Sequence, residues 1–309
     1  MKFYHDISCF PKIKNAIVTV GNFDGVHLGH KAILKKMQQI KKETNGNIVV
    51  ITFHPHPKEV LTNKPQNYIT SKGRKTNLLA RQGVDYLLEI HFTKEFAKTS
   101  TEDFIINYLI NTINAIHIVV GYDCHFGHNY NDTISILQKL SKTYNFKLTQ
   151  IPPVYINKNI VSSTIIRKFL EKGMIENANE MLGYSYSVFG QVTYGKQLGR
   201  TIGFPTANIF LENKLKIIAA NGVYACIVRF YGVNYYGMCN IGTRPTVNGK
   251  DLSIEVNIFD FDKEIYGKNI SIYFKARIRD EIKFNNLEEL KIQLTKDKQA
   301  VINLLNKKS

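Results

Sequence analysis

The residues best suited to chemistry lie in one short stretch, residues 21–30, which reads Gly-Asn-Phe-Asp-Gly-Val-His-Leu-Gly-His. A β-branched run at 17–20 precedes it and predicts a buried strand. Apolar residues at helical spacing follow at 32–40 and predict a helix. The stretch is therefore a predicted strand-to-helix turn. Its glycines let a ligand approach the backbone, and the free N–H groups of the helix start attract an anion.

Two histidines stand in this turn. His27 and His30 are three residues apart, so both imidazoles fall on one side of the first helical turn. Together with the glycine backbone and the helix start they predict an anion site, for which a nucleotide phosphate is the best candidate. The alternative is an ordinary tight turn that carries two incidental histidines.

Three further segments of the first half have site-like chemistry. The loop His54-Pro55-His56-Pro57 and the loop that begins at Gly121 each follow a predicted strand, where ligands bind in open α/β sheets. In the second loop, Asp123 could bind ribose, a metal or an adenine amine. Residues 161–167 place serine and threonine hydroxyls before an arginine, which suits a helix start that holds phosphate. A rigid turn and an ordinary helix cap are the alternatives.

Strands and helices alternate regularly from residue 15 to residue 182, which predicts parallel βαβ units. Beyond Tyr184 the pattern changes to closely spaced β segments. We therefore predict a first domain at 1–184 and a second at 185–309.

The second domain contains a glycine-punctuated stretch that ends in Gly-Phe-Pro-Thr-Ala-Asn at 203–208. A glycine loop can close over ATP phosphates, and Thr206 and Asn208 offer the neutral oxygen ligands that Mg²⁺ accepts. Glu255 projects from a predicted strand on the face opposite Ile254 and Val256, so it is a candidate general base. A Gly-rich hairpin series and a solvent-facing glutamate are the alternatives.

Composition limits the protein class. The chain has 309 residues with a hydrophobic fraction of 44%, enough for one large or two ordinary globular domains. No apolar run approaches the roughly 20 residues needed to cross a bilayer, and the first 14 residues lack a secretory signal. Four scattered cysteines form no CxxC pair, which argues against a disulfide framework and a zinc site. We expect a cytoplasmic protein without a membrane partner.

The net charge of +16 permits either attraction to nucleic acid or an enzyme that handles phosphorylated substrates. The charge is spread along the chain, and no nucleic-acid recognition module is visible. We therefore expect no nucleic-acid partner.

These motifs resemble, in order, those of the bacterial bifunctional riboflavin kinases/FAD synthetases. The HxGH core is similar to the signature of the nucleotidylyltransferase superfamily, and Ser-Ser-Thr-x-Ile-Arg, Gly-Phe-Pro-Thr-Ala-Asn and Arg-x-Glu-x-Lys-Phe match further family motifs. The resemblance covers about residues 12–305. The chain departs from it at Cys124, where an aromatic residue is usual, and at residues 129–132.

The resemblance implies a fold and a function. The fold is a Rossmann-like, nucleotidylyltransferase α/β/α domain followed by a small antiparallel β-barrel of six strands with a C-terminal helix. The barrel would phosphorylate riboflavin to FMN with ATP and Mg²⁺. The first domain would join FMN to the AMP part of a second ATP, giving FAD and pyrophosphate. Catalytic roles would fall to His27, His30, Arg167 and Glu255.

The same resemblance implies which residues bind ATP, flavin and metal. The expected nucleotide and flavin contacts are Gly21, Asn22, Phe23, Asp24, Gly29, His56, Gly121, Asp123, Ser162, Ser163, Thr164, Gly195, Gly199, Arg200, Gly203, Pro205, Arg279 and Phe284. The expected metal ligands are Thr206 and Asn208.

Three alternatives stay open. The chain could retain only one of the two activities, or it could be a nucleotidylyltransferase for another phosphorylated acceptor. It could also be a basic nucleic-acid-binding or flavin-sensing protein without catalysis. A weak homo-oligomer is compatible with the sequence.

Overall fold

The computed structural model describes residues 1–127, 133–195, 197–246 and 249–307. The chain divides into two compact units, Met1–Ser163 and Thr164–Ser309. The functional border expected near residue 184 lies within the second unit, after two helices, and stays a prediction.

The first unit is built on a six-stranded parallel sheet in the order β1-β4-β3-β2-β5-β6. Its strands are β1 (Lys2–Tyr4), β2 (Ala16–Val20), β3 (Asn47–His54), β4 (Tyr86–His91), β5 (Ala115–Gly121) and β6 (Lys147–Ile151). Its helices are α1 (Leu28–Thr44), α2 (Pro57–Thr62), α3 (Lys72–Arg81), α4 (Thr101–Asp103), which continues as a π-helical segment (Phe104–Thr112), and α5 (Thr133–Thr143). A hairpin of β7 (Tyr155–Ile156) and β8 (Asn159–Ile160) follows.

The sheet is buried because its central strands are continuously apolar. Residues 48–51 of β3 are all inaccessible to solvent, as a parallel sheet covered by helices requires. Val49 and Ile51 belong to a cluster that includes Leu109 of the π-helical segment and Leu137 of α5. The predicted βαβ architecture is confirmed.

The strand order positions the first site. From β2 the chain proceeds through β3 and β4 on one side, and β5 and β6 lie on the other side. Ligands in such sheets bind at this reversal, beyond the carboxyl ends of the two strands that flank it, β2 and β5. The loops that leave those ends begin at Gly21 and Gly121, two of the residues expected to contact nucleotide.

The second unit contains a closed antiparallel barrel in the order β10-β13-β12-β11-β14-β9. Its strands are β9 (Ser187–Thr193), β10 (Ala207–Phe210), β11 (Gly222–Phe230), β12 (Val233–Thr246), β13 (Gly249–Ile258) and β14 (Asn269–Arg279). The helices are α6 (Ser163–Glu171), which begins at the last residue of the first unit, α7 (Ile175–Leu182), α8 (Leu198–Thr201) and α9 (Leu287–Asn306). The six-stranded barrel with a C-terminal helix is therefore confirmed.

Alternation along the barrel strands explains how α9 packs. Val223, Ala225 and Met238 form a cluster with Val301 and Leu305 of α9. This cluster draws on the C-terminal part of α9. The helical spacing of apolar residues predicts that Leu287, near the start of the helix, faces the core, but it is exposed.

Two local expectations differ from the structure. The lead-in at 1–14 contains β1, whose Lys2 donates its main-chain N–H to Asp85 at 2.7 Å. A strand of three residues is too short to show a hydrophobic period in the sequence, and it is recognised only by its pairing with β4. The segment 240–246, whose glycine and proline predict a turn, instead continues β12, because the register with β13 is unbroken from Gly237 to Thr246.

Among the helices of the described ranges, none combines the length and the apolar character that a membrane span needs.

The sheet core predicts a large cost for truncation. Ile51→Ala removes a fully buried side chain from the centre of β3, and we expect it to lower the free energy of unfolding by about 2–5 kcal/mol. Urea unfolding followed by circular dichroism measures the change. Leu61→Ala, at a side chain that is 60% exposed, is the matched control and should cost less than about 0.5 kcal/mol. Equal losses in both variants would contradict this account of the core.

Candidate active sites

The turn after β2 has an unusual backbone. Phe23, Gly25 and Val26 adopt positive φ angles of 50°, 83° and 38°. A β-branched residue in this region is strained, and such strain persists only where surrounding contacts hold it. Val26 is fully buried, so packing supplies that support.

Asp24 holds the turn to a neighbouring segment. Its carboxylate, only 3% exposed, accepts hydrogen bonds from the main-chain N–H groups of Ile69 at 2.9 Å and Thr70 at 3.0 Å, and from the Thr70 hydroxyl at 3.1 Å. The Thr70 hydroxyl oxygen in turn accepts the N–H of Gly25. These contacts give Asp24 a structural role, while its expected contact with nucleotide stays a prediction.

The two histidines come together as the sequence predicts. Their rings stack with centroids 3.7 Å apart, and Phe23 packs on His30 at 4.7 Å. His27 caps α1, because its Nδ1 accepts the main-chain N–H of His30. In a neutral ring this places the proton of His27 on Nε2, where it is a hydrogen-bond donor.

Burial is the main influence on the pKa of His30. It lowers the pKa of His30 well below 6.5, and the nearby positive charges of His27 and Lys75 lower it further. His30 Nδ1 is buried and has no hydrogen-bond partner among the residues that the structure describes. His30 is therefore a neutral ring with one unused nitrogen inside the site.

Glycine at position 29 allows this packing. A β-carbon there would lie 3.2 Å from the His27 ring and 3.4 Å from the carbonyl oxygen of Val161. The residue after Val161, Ser162, begins the predicted phosphate-binding segment. Its neighbour Ser163 donates its hydroxyl to the carbonyl oxygen of Asp24 at 2.9 Å.

The structure thus joins the start of the Ser-Ser-Thr segment to the histidine turn. Thr164 and Arg167 belong to the second compact unit, and their approach to the histidines stays a prediction.

His56 is placed by a helix that the sequence did not reveal. The loop expected at 54–57 leads directly into α2, whose N-terminus is capped by His56 Nδ1 accepting the N–H of Lys58 at 3.1 Å. The main-chain N–H of His56 donates to the Tyr68 hydroxyl, which donates to Glu59. Burial raises the pKa of Tyr68 to about 12, so this hydroxyl keeps its proton. His56 therefore stands on a short rigid element.

The loop after β5 folds back on its strand. A β-carbon on Gly121 would lie 3.4 Å from Asp123 Oδ1 and 3.5 Å from Ile33 of α1. Cys124 packs against the sheet core, and burial raises the pKa of its thiol to about 12. The position where the family resemblance implies an aromatic ring is thus filled by a smaller, protonated thiol. The other departure, at 129–132, lies outside the described residues.

The second site is centred on Glu255 of β13. Its carboxylate accepts the hydroxyl of Thr206 at 3.3 Å and the hydroxyl of Ser253 at 3.1 Å. Asn208 of β10 and Asn240 of β12 are its cross-strand neighbours. Glu255 is half-buried, so the sequence-based expectation of a carboxylate off the apolar face is confirmed in its geometry.

Two cavities meet at Thr206. One, of about 390 Å³, is lined by Glu255, Arg279 and Phe284 together with apolar side chains of α9. The other, of about 610 Å³, is lined by residues of the glycine-punctuated stretch and of the segment after β13, namely Tyr194, Arg200, Pro205, Lys263 and Tyr266 among others. Thr206 and Gln197 line both. The Thr206 side chain is therefore shared by the two cavities, and the carboxylate that its hydroxyl contacts lines the smaller one.

The glycines of the second site fold tightly around this point. The Asn208 side chain occupies the space that a β-carbon on Gly195 would need, and the carbonyl oxygen of Phe204 does the same at Gly199. Gly203 has a φ of 84° and open space beside it. Gly195 and Gly199 thus let the Asn208 side chain and the Phe204 carbonyl oxygen pack against the backbone of the loop. Gly203 provides the positive φ angle that its turn requires.

Arg279 lines the smaller cavity, but its guanidinium is held by protein. Nε and Nη2 donate to the carboxylate of Asp297 at 2.7–3.0 Å, and Nη1 donates to the carbonyl oxygen of Asp280. Asp297 is 2% exposed on α9 and also accepts Gln293. The flavin contact expected of Arg279 and Phe284 stays a prediction. What the structure adds is a buried carboxylate that orients the arginine.

Comparisons with known proteins decide the family. A family model described as FAD synthetase matches residues 10–165, and one described as riboflavin kinase matches residues 182–305. The chain is 40% identical to the "Bifunctional riboflavin kinase/FMN adenylyltransferase" of Bacillus subtilis, over 93% of this chain and 92% of that protein. It is 38% identical to the protein of the same name from Buchnera aphidicola subsp. Schizaphis graminum, over 99% of both. The chain belongs to the bifunctional riboflavin kinase/FMN adenylyltransferase family.

A solved structure supports the architecture of this family member. The crystal structure of a protein from Streptococcus pneumoniae, described as a macrolide-efflux protein, matches it with a TM-score of 0.90 and 31% identity, over 97% of this chain and 98% of that one. The match confirms the sheet and barrel folds. The efflux description belongs to that protein.

Three residues of this riboflavin kinase/FMN adenylyltransferase family member were missed by sequence reasoning. Lys75 binds the carbonyl oxygen of Asn22 in the histidine turn, and the Tyr68 hydroxyl accepts the main-chain N–H of His56. Asp297 accepts the guanidinium of Arg279. Each stands in a segment without a motif, and Asp297 has no sequence signal beyond an acidic residue within an amphipathic helix. Only the tertiary contacts identify them.

The lowered pKa of His30 predicts a pH dependence of stability. Below about pH 6.5 an unfolded chain protonates this ring and the folded chain does not, so the free energy of unfolding falls as the pH falls. The slope from this group is at most about 1.4 kcal/mol per pH unit. Urea unfolding of wild type and His30→Gln at pH 7 and pH 5 should show a smaller loss in the variant. The exposed His91→Gln is the control, and an equal loss in His30→Gln and wild type would refute this assignment.

Proposed function

We propose that this chain makes FAD from riboflavin in two steps. The barrel phosphorylates riboflavin to FMN with ATP, and the parallel-sheet unit adenylylates FMN with a second ATP and releases pyrophosphate. One observation carries the proposal: two separate compact units, each matched by its own family model, hold one candidate site each. Glu255 lines a cavity that shares Thr206 with a second cavity, and the stacked His27–His30 pair stands at a helix start.

In the kinase step the ribityl 5′-hydroxyl of riboflavin would occupy the smaller cavity and ATP the larger. Glu255 accepts the proton of that hydroxyl as its oxygen bonds to the γ-phosphorus, and the bond from γ-phosphorus to ADP breaks. The Thr206 hydroxyl contacts Glu255 in the structure, so it holds the base at the boundary of the two cavities. The rigid strand β13 fixes the position of this base.

Mg²⁺ would enter with ATP. The donor set fits it, because the Thr206 hydroxyl and the Asn208 amide oxygen are hard neutral ligands beside one carboxylate, with phosphate oxygens to complete the shell. Within the described ranges, no group of three His, Cys, Asp or Glu side chains forms a cage that would bind a metal without phosphate. When bound, the ion neutralises charge on the transferred phosphoryl group.

In the adenylylation step a phosphate oxygen of FMN would attack the α-phosphorus of ATP, and the bond to pyrophosphate breaks. The start of α1 offers its free N–H groups and His27 its Nε2 proton to the charge that develops there. His30 and Arg167 complete the proposed set. No covalent enzyme intermediate is needed, because positioning and charge stabilisation suffice.

The remaining expectations belong to the same proposal. We place the enzyme in the cytoplasm, with ATP, riboflavin and FMN/FAD as its ligands and without a nucleic-acid partner. A weak homo-oligomer remains compatible with it. Incubation with riboflavin, ATP and Mg²⁺, followed by chromatography of the flavins, tests the whole: FMN and then FAD should appear. FMN alone would support the kinase-only alternative.

The histidine turn predicts selective loss of the second step. His30→Ala should lower the rate of FAD formation from FMN by about 10²–10³, because a group that stabilises the transition state is lost. FMN formation from riboflavin should remain at the wild-type rate. Both rates come from the same chromatographic assay, and parallel loss of the two activities would contradict two independent sites.

Glu255 predicts the reverse pattern. Glu255→Gln keeps the shape and removes the base, so we expect FMN formation to fall by about 10²–10⁴ while FAD formation from supplied FMN is unchanged. Glu212→Gln, at an exposed glutamate that lines neither cavity, is the control carboxylate. A Glu255→Gln kinase as fast as wild type would remove Glu255 from this role.

A further inference from the structure

One lysine of the first unit, Lys75, contacts the main chain of the histidine turn. Lys75 lies on α3, and its ammonium donates to the Thr52 hydroxyl at 3.1 Å and to the carbonyl oxygen of Asn22 at 3.4 Å. Thr52 is fully buried at the end of β3 and donates its own hydroxyl to the same carbonyl oxygen at 3.2 Å. Helix α3, strand β3 and the histidine turn are thereby joined through one ammonium group.

The charges around Lys75 do not explain its place as a simple ion pair. The acidic groups that act on it are Glu89 of β4 and Asp24 of the turn, and the basic group is Lys72 of α3. Glu89 is bound by Lys72 at 2.6 Å, and Asp24 is bound by main-chain donors of Ile69 and Thr70. The two hydrogen bonds of Lys75 go instead to neutral oxygens, while burial lowers its pKa.

Two polar atoms beside this network have no partner. Asn22 Oδ1 and His30 Nδ1 are both buried and without a hydrogen bond within the part of the chain that the structure describes. Leaving such an atom unpaired costs about 1–3 kcal/mol, so a site that keeps two of them is built to receive a ligand. Lys75 binds the carbonyl oxygen of Asn22, and its positive charge acts on the ring of His30.

We propose that Lys75 is a positioning residue for adenylyl transfer: by binding the carbonyl of Asn22 and the hydroxyl of Thr52, it fixes the turn that carries His27 and His30. This inference rests on the proposed function of that turn. The ammonium has a second effect through space. The charged groups that act on His30 are His27 and Lys75, and the positive charge of Lys75 favours the neutral ring.

The test replaces the ammonium by an apolar group of similar length. In Lys75→Met we expect kcat for FAD formation from supplied FMN to fall by about 10- to 100-fold, because small displacements of a reacting geometry cost this much. The acid limb of its pH profile should move to higher pH, since removal of a neighbouring positive charge raises the pKa of His30. FMN formation from riboflavin should be unchanged.

Lys72→Met is the matched control. Lys72 lies three residues earlier on the same helix and binds Glu89, so its loss removes a lysine of α3 without touching Asn22 or Thr52. We expect its FAD formation and its pH profile to stay within twofold of wild type. Thr52→Val, which keeps the side-chain shape and removes the shared hydroxyl, should reproduce part of the Lys75→Met loss even if Lys75→Met folds poorly.

A measurement without turnover separates this inference from the proposed function. Histidine side-chain NMR should show a raised pKa for His30 in Lys75→Met and not in Lys72→Met, and hydrogen exchange at amides 22–27 should quicken. If neither changes, Lys75 does not position the turn, whatever the enzyme makes. If both change but wild type makes no FAD from FMN, the proposed function fails and the role of Lys75 in the turn stands.

Discussion

The first site depends on the buried carboxylate of Asp24. A carboxylate removed from water is stable only when charged hydrogen bonds replace its hydration, and the donors here come from residues 69–70, far along the chain from Asp24. This constraint holds the turn against the sheet and lets Val26 keep a strained φ angle. The carbonyl oxygen of the same residue receives Ser163. One residue thus gathers three segments around the start of α1.

In the second site too, hydrogen bonds from other segments hold the charged groups in place. Glu255 stands on a barrel strand whose register is fixed on both sides, and two hydroxyls orient its carboxylate. Arg279 is oriented by Asp297 from α9. Arg279 lines the smaller cavity, and the carboxylate that holds it does not. Side chains fixed in this way lose little conformational entropy when a substrate binds, which is the value of building a site on strands and helix ends.

Neutrality of His30 follows from the same packing. Two stacked imidazoles beside a lysine would repel one another if both carried a charge, and burial disfavours the charged form further. The turn therefore combines a helix N-terminus, which attracts an anion, with the buried, neutral ring of His30. In the proposed adenylyl transfer, such a site would follow the shift of charge from the attacked phosphate to leaving pyrophosphate without holding either too tightly.

Much of this could be read from the order of residues. Local period and turn chemistry determine the parallel strands, the barrel strands and the helix that begins after His27, because these depend on neighbours in sequence. The motifs also identified the family. Residues such as Lys75, Asp297 and the strand Lys2–Tyr4 carry no such signal. A lysine on an amphipathic helix and an acidic residue on another look like ordinary surface groups.

The sequence by itself therefore determined the two folds, the family and the side chains suited to catalysis. Only the tertiary structure decided which groups hold them: Asp24 to residues 69–70, Lys75 to Asn22 and Thr52, and Asp297 to Arg279. The physical reason is that periodicity and turns report on interactions over a few residues. Burial and hydrogen bonding of a charged group depend on partners that the fold brings from distant segments of the chain.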